Sequence, residues 1–270
     1  VLIAFVAAAY ALAWTFFGLG AVASGSAGLR SILFYLGAIS PSLAAIVVVW
    51  RREGRSGVTA LLSRLFIWRV HWRWYVFAVA YLPAIKLSAA VVHRVAFGTW
   101  PRFGDESWLI MIVATFAAVP LGGQAGEEVG WRGFALPRLA NRFGVPLASV
   151  LLGVIWAVWH LPLFFIPGVD KTGQSFPLYA AQVTALSIVL AWVYTNTNGS
   201  LLLVTLMHSA VNQTIGIVPS ADPGAANPFT LHASRIGWIT AGLLWGTAAY
   251  FLVRLRGRRL TLAPTSGLLT

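Results

Sequence analysis

Two adjacent glutamates, Glu127 and Glu128, stand in the stretch GEEVGWRGF (126–134), shortly after an uncharged run from Trp108 to Leu121. Only seven acidic residues occur in 270, so two side by side next to an apolar run call for a chemical reason. Ionisable side chains in a membrane span are costly and point to function. Three further polar residues keep equally apolar company: His160 in WAVWHLP, and His208 and Asn212 in MHSAVNQ. A carboxylate, two imidazoles and a carboxamide around one wet cavity would supply a general base, a group to orient water and two donors for an oxyanion. Amide hydrolysis needs those functions. No serine stands beside a plausible base, because Ser209 adjoins His208 but points to another helix face. Cysteine is absent, which excludes a cysteine nucleophile and thiolate metal sites.

Helical spacing sorts these residues. Neighbouring helix positions are about 100° apart, so Glu127 and Glu128 cannot face one point. Glu128 and Arg132 are at i and i+4, within reach of an ion pair, which leaves Glu127 to face a cavity. Gly122, Gly126 and Gly130, also four apart, form a ridge that another helix can approach closely. The same pattern would also suit a tight interfacial helix end with a surface salt bridge. His208 and Asn212 are again at i and i+4, with Thr205 a turn earlier, and an Asn in a span can equally be interhelical glue. Ser149, Gly153, Trp156 and His160 share a face, and Pro162 should end that helix just past His160. There the histidine could simply cap carbonyls.

The elements that must position these residues follow from composition. The chain is 59% hydrophobic and 10% charged, with mean hydropathy +0.79; soluble domains carry about 25% charged residues. An all-α polytopic membrane bundle of about eight transmembrane helices is expected, at roughly 1–23, 32–50, 74–97, 108–126, 145–166, 178–195, 200–218 and 236–253. The fourth could run on into the glutamate motif. The opening run reads as a retained span rather than a signal peptide. Residues 1–254 form one membrane domain and 255–270 a basic cytoplasmic tail.

The net charge of +12 does not point to nucleic acid, because the arginines cluster between apolar runs, where they face lipid headgroups. Loop 51–73 holds Arg51, Arg52, Arg55, Arg64, Arg69 and Arg73; loop 127–144 holds Arg132, Arg138 and Arg142; the tail holds Arg254, Arg256, Arg258 and Arg259. The other side holds Arg30, Arg94, Arg102, Lys171 and Arg235. Both termini are therefore expected in the cytoplasm. Residues 56–73 read as an amphipathic helix lying in the cytoplasmic headgroups.

At its three polar motifs the sequence resembles the CPBP family of intramembrane proteases, the CAAX prenyl protease 2-like or abortive-infection family. That pattern is EExxxR, then aromatic-xxx-His, then HxxxN. Here it reads Glu127-Glu128-Val-Gly-Trp-Arg132, Trp156-Ala-Val-Trp-His160 and His208-Ser-Ala-Val-Asn212. Trp156 stands where phenylalanine is usual, a change conservative in character. The resemblance covers about 108–218 and implies a helical fold around a conical cavity open to lipid and cytoplasm.

It also implies cleavage of a peptide bond near the membrane surface, either CAAX-type C-terminal processing or processing of bacteriocins and other peptides. Carried over by position, Glu127 is the general base, His160 helps activate water, and His208 and Asn212 hold the oxyanion. Glu128 and Arg132 tie the site together, with Glu128 also a catalytic candidate and Trp156 supporting. The family is commonly called metalloprotease. Glu127, His160 and His208 could hold zinc with a water, though not in HExxH spacing, and a metal-free route uses the same side chains. Expected partners are membrane lipids and a hydrophobic or lipidated peptide or protein, with no nucleic acid, in a bacterial cell membrane. Two other readings use the same residues: a catalytically silent member acting in binding or immunity, and a small proton-coupled transporter. The transporter would call for an internal repeat, and none is visible.

Overall fold

The computed structural model describes residues 1–23, 26–121, 123–220, 227–258 and 260. Gly122 and most of the basic tail, residues 259 and 261–270, lie outside these. The described chain is helical: α1 Leu2–Val22, α2 Ala27–Ala38, α3 Ser40–Leu62, α4 Arg73–Phe97, α5 Trp108–Leu121, α6 Gly123–Glu128, a π-helical segment Val129–Ala135, α7 Leu136–Trp159, α8 Phe176–Asn196, α9 Leu201–Thr214 and α10 Arg235–Leu255.

Eight apolar stretches fall where the sequence places them, but not all are full spans. Four single helices (α1, α4, α8, α10) and the run Gly123–Trp159 are long and apolar enough to cross a membrane, and α2 with α3, bent by 47°, make a sixth as one broken span. Helix α9 has 14 residues. At 1.5 Å per residue it reaches ~21 Å, short of the ~30 Å hydrocarbon core.

Apolarity on all sides explains how the helices divide their surfaces. In α1 only Phe5, Ala9, Ala13, Phe17 and Gly20 are buried, a stripe of roughly four-residue period that packs on the protein and leaves the rest to lipid. Its small residues let α3 come close enough for Ser40 Oγ to donate to the Ala9 carbonyl at 3.0 Å. Helices α8 and α9 lie at the centre: Val183–Ala191 and Leu203–Val211 are buried without a break. Ser200 caps α9 by accepting from the Leu203 amide, 3.2 Å.

The expected loop 127–144 is corrected. It is helical, and residues 127–137 are all buried. Glycine and arginine made it look exposed, but its glycines serve contact. A Cβ on Gly126 would lie 2.5 Å from Ile39 Cγ2, and one on Gly130 2.4 Å from the Pro41 carbonyl carbon. The start of α3 therefore rests directly on this ridge. Trp131 and Phe134 turn the other way, onto Phe5 at centroid distances of 5.5 and 4.7 Å. Arg132 is fully buried and is not a headgroup charge. Only at Gly144, φ +75°, does the run break helical geometry.

The amphipathic reading of 56–73 holds for its first half. Helix α3 continues to Leu62 after a break at Gly54 (φ +67°), with Val58, Leu61, Leu62 and Leu65 against the core. A 3-10 turn, Ser63–Phe66, then ends it, and Trp68 and Trp72 point outward.

Candidate active site

The glutamate motif sits where α6 passes into the π-helical segment. A π turn adds one residue to the helical repeat, and such bulges recur at functional sites. Glu128 is wholly buried, and its Oε1 accepts two charged or polar donors: Arg132 Nη1 at 2.8 Å and His208 Nδ1 at 2.9 Å. The i, i+4 pair read from the sequence is therefore present, and it extends to α9. An imidazole nitrogen facing a carboxylate carries the proton, so Nδ1 of His208 is committed to Glu128 and Nε2 is left for chemistry.

Glu127 is oriented differently. Its Oε2 accepts the indole N–H of Trp156 at 2.7 Å, and the side chain retains 7% exposure. Trp156 sits at the middle of the cluster. The Arg132 guanidinium carbon lies 4.2 Å from its ring centroid, a cation–π distance. The His208 ring meets it edge-on at 5.1 Å and 83°.

His160 is the C-cap of α7, as Pro162 two residues on requires. Its Nδ1 is 2.9 Å from the Trp156 carbonyl, one of the oxygens that a helix end leaves without an amide partner. Donation from Nδ1 fixes the tautomer and leaves Nε2 as a base. The ring is held edge-on between Trp159 (4.6 Å, 85°) and Tyr179 (5.5 Å, 70°). Capping and a free ring nitrogen thus coexist in one residue.

The structure gathers Glu127, Glu128, Arg132, Trp156 and His208 into one bonded cluster and joins His160 to it through Trp156. Asn212, a turn beyond His208, is exposed and makes no side-chain hydrogen bond to the described residues. Ser209 turns away, donating to the Thr115 carbonyl at 2.7 Å. Two features escaped the sequence. Trp156 is more than a conservative aromatic, because its N–H, which phenylalanine lacks, holds Glu127. Tyr179 clamps His160 from α8, and no spacing rule connects the two. Among the described residues no group of three His, Asp or Glu side chains is arranged to hold a metal. Glu127, His160 and His208 are not drawn up as a ligand set among them.

Residues 104–214 match the family model described as Type II CAAX prenyl endopeptidase Rce1-like. All three motifs fall inside that range. Over those residues the chain is similar to that family. A curated relative, "CAAX prenyl protease 2" of Methanococcus maripaludis, is 22% identical over 204 residues, covering 68% of this chain and 72% of the relative. That similarity and the apolar helices together support an integral membrane protease, a hydrolase of peptide bonds.

Proposed function

We propose that this protein is an intramembrane endopeptidase that cuts a hydrophobic or lipid-modified peptide with water activated by Glu127. The single observation that carries the reading is Glu127 itself. It is a buried carboxylate with one oxygen pinned by the Trp156 N–H, next to a second carboxylate already neutralised by Arg132. Glu127 removes a proton from water while His160 Nε2 helps orient it, and the hydroxide attacks the scissile carbonyl carbon. The oxyanion that forms is met by the Asn212 amide and by His208. For His208 Nε2 to donate while Nδ1 stays on Glu128, the ring acts as an imidazolium, and together with Arg132 it balances the two carboxylates Glu127 and Glu128. Collapse breaks the C–N bond, and Glu127 returns its proton to the leaving amine. Losing one oxyanion donor costs about 10²–10³ in rate.

The relative's name, "CAAX prenyl protease 2", favours C-terminal processing of a prenylated protein over bacteriocin processing. Purified protein in lipid nanodiscs, given a farnesylated peptide in H2¹⁸O, tests the reaction class. One ¹⁸O in the newly formed carboxyl group and an unlabelled amine fragment support it. An intact peptide under conditions where binding is measured would refute it.

A further inference from the structure

Lys86 is one of only two lysines and is 1% exposed on α4, on the same helix as the buried Ala89 and Ala90. Its ammonium donates to the Val218 carbonyl at 3.0 Å and to Ser220 Oγ at 2.9 Å. Among the described residues no carboxylate lies within ion-pair distance of it. A buried cation without a counter-ion is expensive to keep, and the hydrolytic cluster makes no use of it.

What Lys86 stands behind gives it a role. Ser220 lines a pocket of about 200 Å³ together with Tyr179, Gln182, Gly216 and Lys171. Two of those walls adjoin proposed catalytic residues: Tyr179 is the ring packed on His160, and Gly216 is four residues beyond Asn212. Ser220 Oγ accepts from Lys86, so its own proton points elsewhere, and no acceptor among the described residues takes it. Gln182 donates to the Gly237 carbonyl at 3.0 Å, which leaves its Oε1 to accept a peptide N–H. His232 also lines the pocket, and Lys171 is paired there with Asp170 at 2.7 Å; among the described residues Lys86 adds a positive charge behind the Ser220 wall. The volume is below the ~300–1,000 Å³ of drug-sized ligand sites, and suits the end of a peptide rather than a lipid chain.

We propose that this pocket is the subsite for a carboxylate of the bound peptide, its C-terminal one, which takes the Ser220 hydroxyl as donor and the Lys86 ammonium behind it as counter-charge. The assignment rests on the peptidase reading above and names the polar end of its substrate. It makes the enzyme a reader of free chain ends, and distance from that end then sets which bond lies at Glu127.

Binding rather than turnover tests it. Three ligands are compared on the purified full chain: acetyl-Leu-Leu-Leu as free acid, as C-terminal amide, and as an amide with glutamate in the middle position. The free acid should bind roughly tenfold or more tightly than the plain amide, and Lys86→Met and Ser220→Ala should each bring that ratio towards one. Ser220→Ala, on the pocket wall, keeps the test alive if Lys86→Met does not fold. Equal affinities in the native protein, or a preference that survives Ser220→Ala and a folded Lys86→Met, would overturn the proposal. So would a glutamate-bearing amide that binds as well as the free acid, since the pocket would then read side chains. A protein that shows the preference without cutting peptides retains the pocket and loses the peptidase reading; cleavage without the preference does the reverse.

Discussion

The indole N–H of Trp156 on α7 points at Oε2 of Glu127 on α6, 2.7 Å away and buried. This bond joins the second motif to the first and decides which oxygen of Glu127 stays available. Trp156→Phe keeps the ring under Arg132 and removes only the donor. A hydrogen bond to a charged group is worth about 1.5–3 kcal/mol. On that basis kcat should fall by about tenfold or somewhat more, while KM changes little. Steady-state kinetics check this, and an unchanged kcat would remove the bond from the account.

Glu128→Gln should act on stability first. The substitution strips the counter-charge from Arg132 and a strong acceptor from His208, all three buried. Breaking a buried pair typically costs about 3–5 kcal/mol. Thermal unfolding in detergent should show a large loss for Glu128→Gln and a small one for Glu127→Gln. Equal losses would mean that the two acids do not have separate jobs.

The glycine ridge makes a purely structural prediction. Gly130→Ala would force a Cβ to 2.4 Å from the Pro41 backbone and should destabilise by about 1–3 kcal/mol. Gly242→Ala on α10 meets nothing within 4 Å and should be neutral or stabilise by about 0.4–1 kcal/mol. Comparing the two unfolding midpoints checks the packing of α3 on the π-helical segment.

Orientation is predicted from the arginines and can be read chemically. With no native thiol in the chain, Asp170→Cys should react with a membrane-impermeant maleimide from outside intact cells. Labelling only after the membrane is opened would reverse the assigned topology.

Much of this was legible in the sequence because helices impose a simple period. Glu128 and Arg132, four apart, meet as that period requires, and Pro162 ends α7 at His160. The segment 127–144 was misjudged because charge and glycine ordinarily mark loops. Here Arg132 is neutralised within the protein and Gly130 makes room for Pro41, so the same residues mark a fully buried turn. Apolarity located α9 but could not show that it is short of a full crossing. Contacts between distant segments were out of reach: nothing in the spacing links Tyr179 to His160, and a motif written as aromatic-xxx-His hides the one atom that distinguishes Trp156 from phenylalanine.

The base assignment is tested most directly by single-turnover cleavage of a bound peptide by Glu127→Gln beside the native protein. Glutamine keeps the size of the side chain and an oxygen for Trp156 but cannot take a proton from water. The account predicts that the variant folds, binds peptide with near-native affinity and does not cut it. Cleavage at the native rate would contradict it.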